Sequence, residues 1–540
     1  MGLRYNSFAQ NHSISKELTM SMRHGWLVAV VVGLTASSAR TQLPPVQTGP
    51  LGAGQGLQGA AGCSATDASS CAQAAAKIMP IVMGDSPLAE NLRKLTDGVG
   101  GRVSGSPQMA QAVEWGVAAF RTAGIDVHSE KYIMPHGWSE GDTRLEVVGP
   151  EKFLVSLASL GLSPATPENG IEAPLIFIRE GSEADFAHAG PAVKGAILLL
   201  HTEVSYTWED LNREYELPPP IIERAVKAGA TAILWVGERE RKLLYRHTNS
   251  PDGRLEELPQ AVLAREDGLR LERAALVNPG KVRVRLTMPN HTSGPVEQFN
   301  VVGEIRGYEK PDEVVVLGAH LDSWELGTGA LDDGCNSALV IEAARAIKAT
   351  GLLPRRTIRF ILFSGEEEGL LGSWAYVRAH RAEMDKYRGV VIFDTGVGRL
   401  TGYSLGGRHD IEAAVNDILR PFNGWGVDRQ TLDAQTGTDH LDFLLEGVPT
   451  LVANQEVANY MQNYHAASDT FDKVDIRELK LNTVLAAVTA WGIADRSEPI
   501  GKRQSRAEVE GLMKETGLDK ELQLNGMWPA FQSGERGRQP

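Results

Sequence analysis

Residues 314–333 read VVVLGAHLDSWELGTGALDD, and the fold turns on how this stretch divides. The β-branched and apolar run 314–317 is short and bounded by Gly318, the pattern of a buried strand whose carboxyl end delivers His320. Beyond it lies a loop carrying His320, Asp322, Asp332 and Asp333, punctuated by Gly327, Gly329 and Gly334, where the backbone can turn tightly. Carboxylates gathered in a buried cleft repel one another and lose hydration, at a cost on the order of several kcal/mol per ion unless a cation pairs them. The loop therefore predicts a metal site.

Further apolar runs repeat the arrangement. Residues 357–363 end in Ser364-Gly365-Glu366-Glu367-Glu368-Gly369, and 390–393 end in Asp394. A strand-like run at 448–452 precedes Tyr464-His465-Ala466-Ala467-Ser468-Asp469-Thr470. Acid at the carboxyl ends of successive strands falls where open α/β sheets build their sites. Helical spacing over 337–350, closed by Gly351 and Pro354, and again over 370–380, completes the alternation of strands and helices. Alternation of this kind predicts an α/β fold with a mixed, mostly parallel sheet flanked by helices.

In order and spacing, His320, Asp322, Asp332-Asp333-Gly334, Glu366-Glu367, Asp394 and His465 resemble the co-catalytic di-zinc exopeptidases of the aminopeptidase and glutamate carboxypeptidase family. The resemblance covers roughly residues 85–494, and His-Leu-Asp-Ser-Trp at 320–324 leans toward the carboxypeptidase side. It implies two Zn2+ per chain, with Asp332 bridging, His320 and Asp394 completing one metal, and Glu367 and His465 the other. It also implies a cis peptide bond from Asp332 to Asp333. Glu366 suits the general base, because adjacent residues at a strand end project differently and leave it free to face water while Glu367 faces metal. Asp322 is the expected partner fixing the tautomer and orientation of His320. The implied activity is hydrolysis of dipeptides or short peptides through a hydroxide bridging the metals. An aminopeptidase acting on longer peptides is the near neighbour. A non-catalytic binding protein on the same fold would be expected to lose ligands, and a single-zinc acyltransferase would not need the complete set.

Working outward, the 540-residue chain is 42% hydrophobic and 23% charged, which excludes wholesale disorder and allows two or three domains. A net charge of -14 argues against nucleic acid or an anionic membrane as partner, since both select basic surface. Residues 22–39, MRHGWLVAVVVGLTASSA, have the basic start, short apolar core and small-residue end of a signal peptide, with Met20 or Met22 as the expected true start. Residues 1–39 are thus assigned to a signal with an over-long start, and the mature chain to a secreted or periplasmic location, off the membrane after cleavage. The expected partner is a peptide substrate, and a homodimer is left open.

Residues 40–78, rich in Gly, Ala, Gln and Pro, read as a flexible linker, and whether its Cys63 and Cys71 form a local disulfide is left open. Residues 79–139 open the catalytic domain, and 298–496 carry its metal site. Between them, 140–297 lack acidic ligand clusters; strands at 193–200 and 231–236 around a glycine-closed helix at 223–230 look like an inserted, β-rich protease-associated domain. Asn290-His291-Thr292 matches a glycosylation acceptor. Residues 497–540 read as a polar tail. Cys335 is expected to be a small buried residue, because anionic neighbours would raise its pKa and spoil it as a nucleophile. His440 is assigned a structural or substrate-side place, and His128, His136, His201, His247, His380 and His409 lack companion ligands.

Overall fold

In the computed structural model, which describes residues 65–250 and 252–539, the strand expected at 314–317 extends over Lys310–His320 and stands at the centre of a seven-stranded sheet. Across the sheet the strands lie in the order Asp126–Met134, Val296–Ile305, Arg356–Phe363, Lys310–His320, Tyr387–Ile392, Thr450–Gln455, Leu400–Ser404. The central pairings are parallel and those toward both edges antiparallel. Both faces of the central strand are covered, which is why it reads as an unbroken apolar run. Val315 and Leu317 pack with the helices Cys335–Ala349 and Ile476–Asp495, while Val314 and Val316 pack with residues of Leu371–Ala379 and Leu441–Leu445.

Between Asp126–Met134 and Val296–Ile305 the chain leaves to build a second, eight-stranded sheet from residues 144–287. Its middle strands, Ile171–Phe177, Ile197–Leu200, Ala232–Val236 and Gln260–Leu263, are parallel. Parallel neighbours need crossover connections. The insert accordingly carries the helix Glu183–Ala189 between the first two of these strands, and Trp208–Glu216 and Pro218–Ala228, the latter closed by Gly229 in the left-handed conformation, between the next two. It is an α/β module rather than a β-rich one. Asn290, the first residue of the match to a glycosylation acceptor, is buried, its amide donating to Ser159 Oγ and the Ser163 carbonyl.

Two boundaries are corrected. The expected linker ends early, because Ala65–Met83 is a helix whose Cys71, Ala74, Ile78 and Val82 are buried in the main core. Its alanines have the highest helix propensity of any residue, and they pack close where bulkier side chains would not. The polar tail also folds: Arg506–Thr516, Leu518–Leu524 and Trp528–Ser533 are helices burying Val509, Met513, Leu518, Leu522 and Phe531. Buried Arg536 reaches back from beyond them to Asp442, 2.8 Å away. The signal segment and Cys63 lie outside the described residues. Among the described residues, no helix is long and apolar enough to cross a membrane.

Because the helix Ala65–Met83 is part of the core, Ile78→Ala should destabilise the chain by about 3 kcal/mol, the usual cost of an isoleucine-sized cavity. Denaturant unfolding reads this directly. A change under about 0.5 kcal/mol, typical of surface substitutions, would return the segment to a linker.

Candidate metal centre

The parallel strands deliver their carboxyl ends to one place. His320 closes Lys310–His320, Glu366 and Glu367 follow Arg356–Phe363, and Asp394 follows Tyr387–Ile392. His465 comes from the loop after the short helix Tyr460–Asn463. Two groups of three side chains result: His320, Asp332 and Asp394, and Asp332, Glu367 and His465.

Asp332 belongs to both groups through different oxygens. Its Oδ1 lies 3.1 Å from His320 Nε2, which is also 3.1 Å from Asp394 Oδ1. Its Oδ2 lies 3.3 Å from His465 Nε2, which is 3.0 Å from Glu367 Oε2. All five expected ligands are thus brought together, and the acid expected to bridge is the one shared between the groups.

The donor set fits a pair of divalent cations. Asp332 Oδ2 and Glu367 Oε1 are buried without a hydrogen bond, a costly state for a carboxylate oxygen. Imidazole nitrogen and carboxylate oxygen are zinc ligands, and Asp332 offers one oxygen to each group. The strain appears in the proton affinities. Burial, reinforced by the Asp332 charge against the pull of His465, lifts Glu367 to about 7. Burial alone would lower His465, but the Glu367 and Asp332 carboxylates override it and push the imidazole up to about 10.

Glu366 falls in neither group, although it neighbours Glu367. It is partly exposed at the cleft, and burial together with Asp394, Glu367 and Asp439 raises it well above the carboxylate range against the opposing effect of His320. Asp322 holds His320 differently from expectation. The Nδ1 atom lies 3.1 Å from the Asp322 main-chain carbonyl, whereas the nearer carboxylate oxygen is 3.7 Å away. The other carboxylate oxygen accepts the Glu367 N–H at 3.2 Å. Asp322 therefore ties two ligand-bearing loops together, and its backbone carbonyl fixes the imidazole.

Two residues that organise the loop were not singled out from the sequence. Arg102 is fully buried and donates to the carbonyls of Leu321, Thr328 and Gly329, so one guanidinium threads the loop from His320 to Asp332. Its signal in the sequence was weak: a charged residue among turn-forming glycines. Asp469 accepts the N–H groups of Leu331 at 2.7 Å and Asp332 at 3.1 Å. Its place four residues after His465 was the available signal. Gly327 and Gly329 have no room for side chains: a Cβ on the first would lie 2.6 Å from the Ala466 carbonyl, and on the second 2.3 Å from Ser323. The Asp332–Asp333 peptide bond is cis.

The remaining expectations sort by burial. Cys335 is buried at its helix start, and burial with Asp333, Asp469 and Asp332 drives its thiol pKa well up, so it is no nucleophile. His440 is fully buried outside both ligand groups, and burial holds it neutral at about 4. His201 pairs with Glu272 at 2.7 Å and His380 with Glu130 at 2.9 Å. His128 and His136 carry exposed contacts, and His409 opens a short helical turn. His247 contacts Glu214 at 3.2 Å.

Residues 300–490 match the profile of Peptidase family M28. Carboxypeptidase Q of Rattus norvegicus is 30% identical over 413 residues, covering 76% of this chain and 85% of the rat protein. Aminopeptidase YwaD of Bacillus subtilis is 24% identical over 448 residues, covering 78% and 88%. The crystal structure of a Peptidase M28 precursor from Shewanella amazonensis superposes with a TM-score of 0.71 at 27% identity, covering 82% of this chain and 99% of that one. The zinc aminopeptidase BSAP of Bacillus subtilis shares the fold, with a TM-score of 0.60 at 20% identity over 78% of this chain and 97% of its own. With this sequence relationship, and with the matched region containing every ligand of both groups, the chain belongs to peptidase family M28 and is a metallo-exopeptidase.

Proposed function

We propose that the chain is a secreted di-zinc exopeptidase that hydrolyses dipeptides or short peptides, with the protease-associated module at 140–297 closing over its site. The observation that carries this reading is the division of Asp332 between two ligand groups. When bound, two zinc ions would polarise the scissile carbonyl and acidify the attacking water.

The chain's own residues supply the rest. Asp332 holds the two groups at a fixed spacing, and Asp322 and Asp469 brace the loops that present it. Glu366 accepts a proton from the attacking water as the carbon–oxygen bond forms. The same proton is then delivered to the amide nitrogen as the carbon–nitrogen bond breaks, so the peptide leaves as a carboxylic acid and a free amine. The similarity to carboxypeptidase Q supports the dipeptide reading, and the similarity to aminopeptidase YwaD supports removal of amino-terminal residues from longer peptides.

A matched substrate set decides between them. Zinc-loaded protein should cleave a free dipeptide and fail on its amino-blocked and carboxyl-amidated forms. Cleavage of amidated or longer peptides from the amino end would make it an aminopeptidase.

Glu366→Gln should reduce turnover by at least 10²-fold, the contribution of a general base, while zinc content stays near two per chain. Loss of zinc from that variant would reassign Glu366 as a ligand. Asp332→Ala should lose both activity and metal, checked by elemental analysis, and full metal content would overturn its bridging role.

A further inference from the structure

The loop that presents His465 is held from outside the catalytic sheet. His465 has φ of +56°, a left-handed conformation that strains a non-glycine residue and persists only where surroundings enforce it. The enforcing contacts come from the insert. The Arg246 N–H donates to the His465 carbonyl at 3.0 Å, the Ala467 N–H donates to the Leu244 carbonyl at 2.9 Å, and Tyr245 pairs antiparallel with Ala466.

A side-chain contact reaches the imidazole itself. The Tyr464 ring lies flat on His465, centroids 3.7 Å apart and planes 20° from parallel. The Tyr464 hydroxyl is hydrogen-bonded to that of Tyr215, 2.8 Å away, on the helix Trp208–Glu216 of the insert. The preceding residue, Glu214, anchors that helix. It is buried with its Oε2 accepting from Arg239 Nη2 at 3.2 Å and its Oε1 3.2 Å from His247 Nδ1. The His247 ring in turn lies between Tyr215 and Tyr245, with centroid distances of 5.7 and 5.9 Å.

We infer that Tyr215 is a positioning residue for the metal centre: its hydroxyl fixes the Tyr464 phenol, and the stacked phenol fixes the orientation of the His465 imidazole. The insert thereby contributes to metal retention although it supplies no ligand. This inference rests on the di-zinc reading above.

The test follows zinc transfer from the full, zinc-loaded chain to a colorimetric chelator. Tyr215→Phe keeps the ring against His247 and removes only the hydroxyl. It should release the more labile zinc about fivefold faster than wild type, the factor one neutral hydrogen bond contributes. Tyr464→Phe removes the same bond from the other side, so the double variant Tyr215→Phe/Tyr464→Phe should be no faster than Tyr464→Phe alone. A general folding defect would instead accelerate release in both backgrounds and overturn the inference. Wild-type release from Tyr215→Phe, in a protein whose wild type holds two zinc ions, overturns it too and leaves the di-zinc reading standing. A wild type in which elemental analysis finds no bound zinc overturns both.

Discussion

The structure depends on a concentration of like charge that the chain alone cannot neutralise. Asp332, Glu367 and Asp394 converge on two imidazoles, all with side chains largely shielded from solvent, and buried ions of one sign are tolerated only when paired or metal-bound. Everything nearby follows from holding that arrangement before a cation arrives. The central parallel strands aim three of the ligand-bearing segments at one point, and the rigidity of a sheet covered on both faces keeps them there.

Strands bring the ligands close, but loops set their final orientation, and these loops are braced by long-range hydrogen bonds. Arg102 satisfies three main-chain carbonyls of the 320–332 loop at once, and Asp469 takes two of its N–H groups. Asp322 joins that loop to the Glu366–Glu367 turn. The brace is costly to bury, and its fixed donors and acceptors meet backbone groups that an irregular buried loop would otherwise leave unpaired.

How much of this was legible in the sequence follows from where each residue sits. His320, Glu367 and Asp394 stand directly at the ends of apolar runs, so local pattern alone exposed them. Asp332 and His465 needed the whole ordered set. Arg102, more than two hundred residues before the loop it braces, leaves only a weak local trace, and Tyr215, whose partner Tyr464 lies on another module, leaves none. The helix Ala65–Met83 was hidden by its own composition, since alanine-rich chain resembles a linker until its packing partner, Ile476–Asp495, is known. The carboxyl-terminal helices were obscured by abundant charge around a narrow apolar face. Asp322 stands beside His320, but which of its oxygens makes the contact is a matter of backbone direction that spacing does not encode.

The two ends of the insert lie side by side, His291 opposite Ser139 and Thr292 opposite Trp138. By connectivity alone the module is a detachable loop, the kind that recombination could lose or exchange without disturbing the order of the seven strands. The grip of Leu244–Arg246 on the His465 loop opposes that modularity. Any exchanged domain would have to bring its own hold on a strained histidine, so the insert and the catalytic sheet are constrained to change together, as one heritable unit.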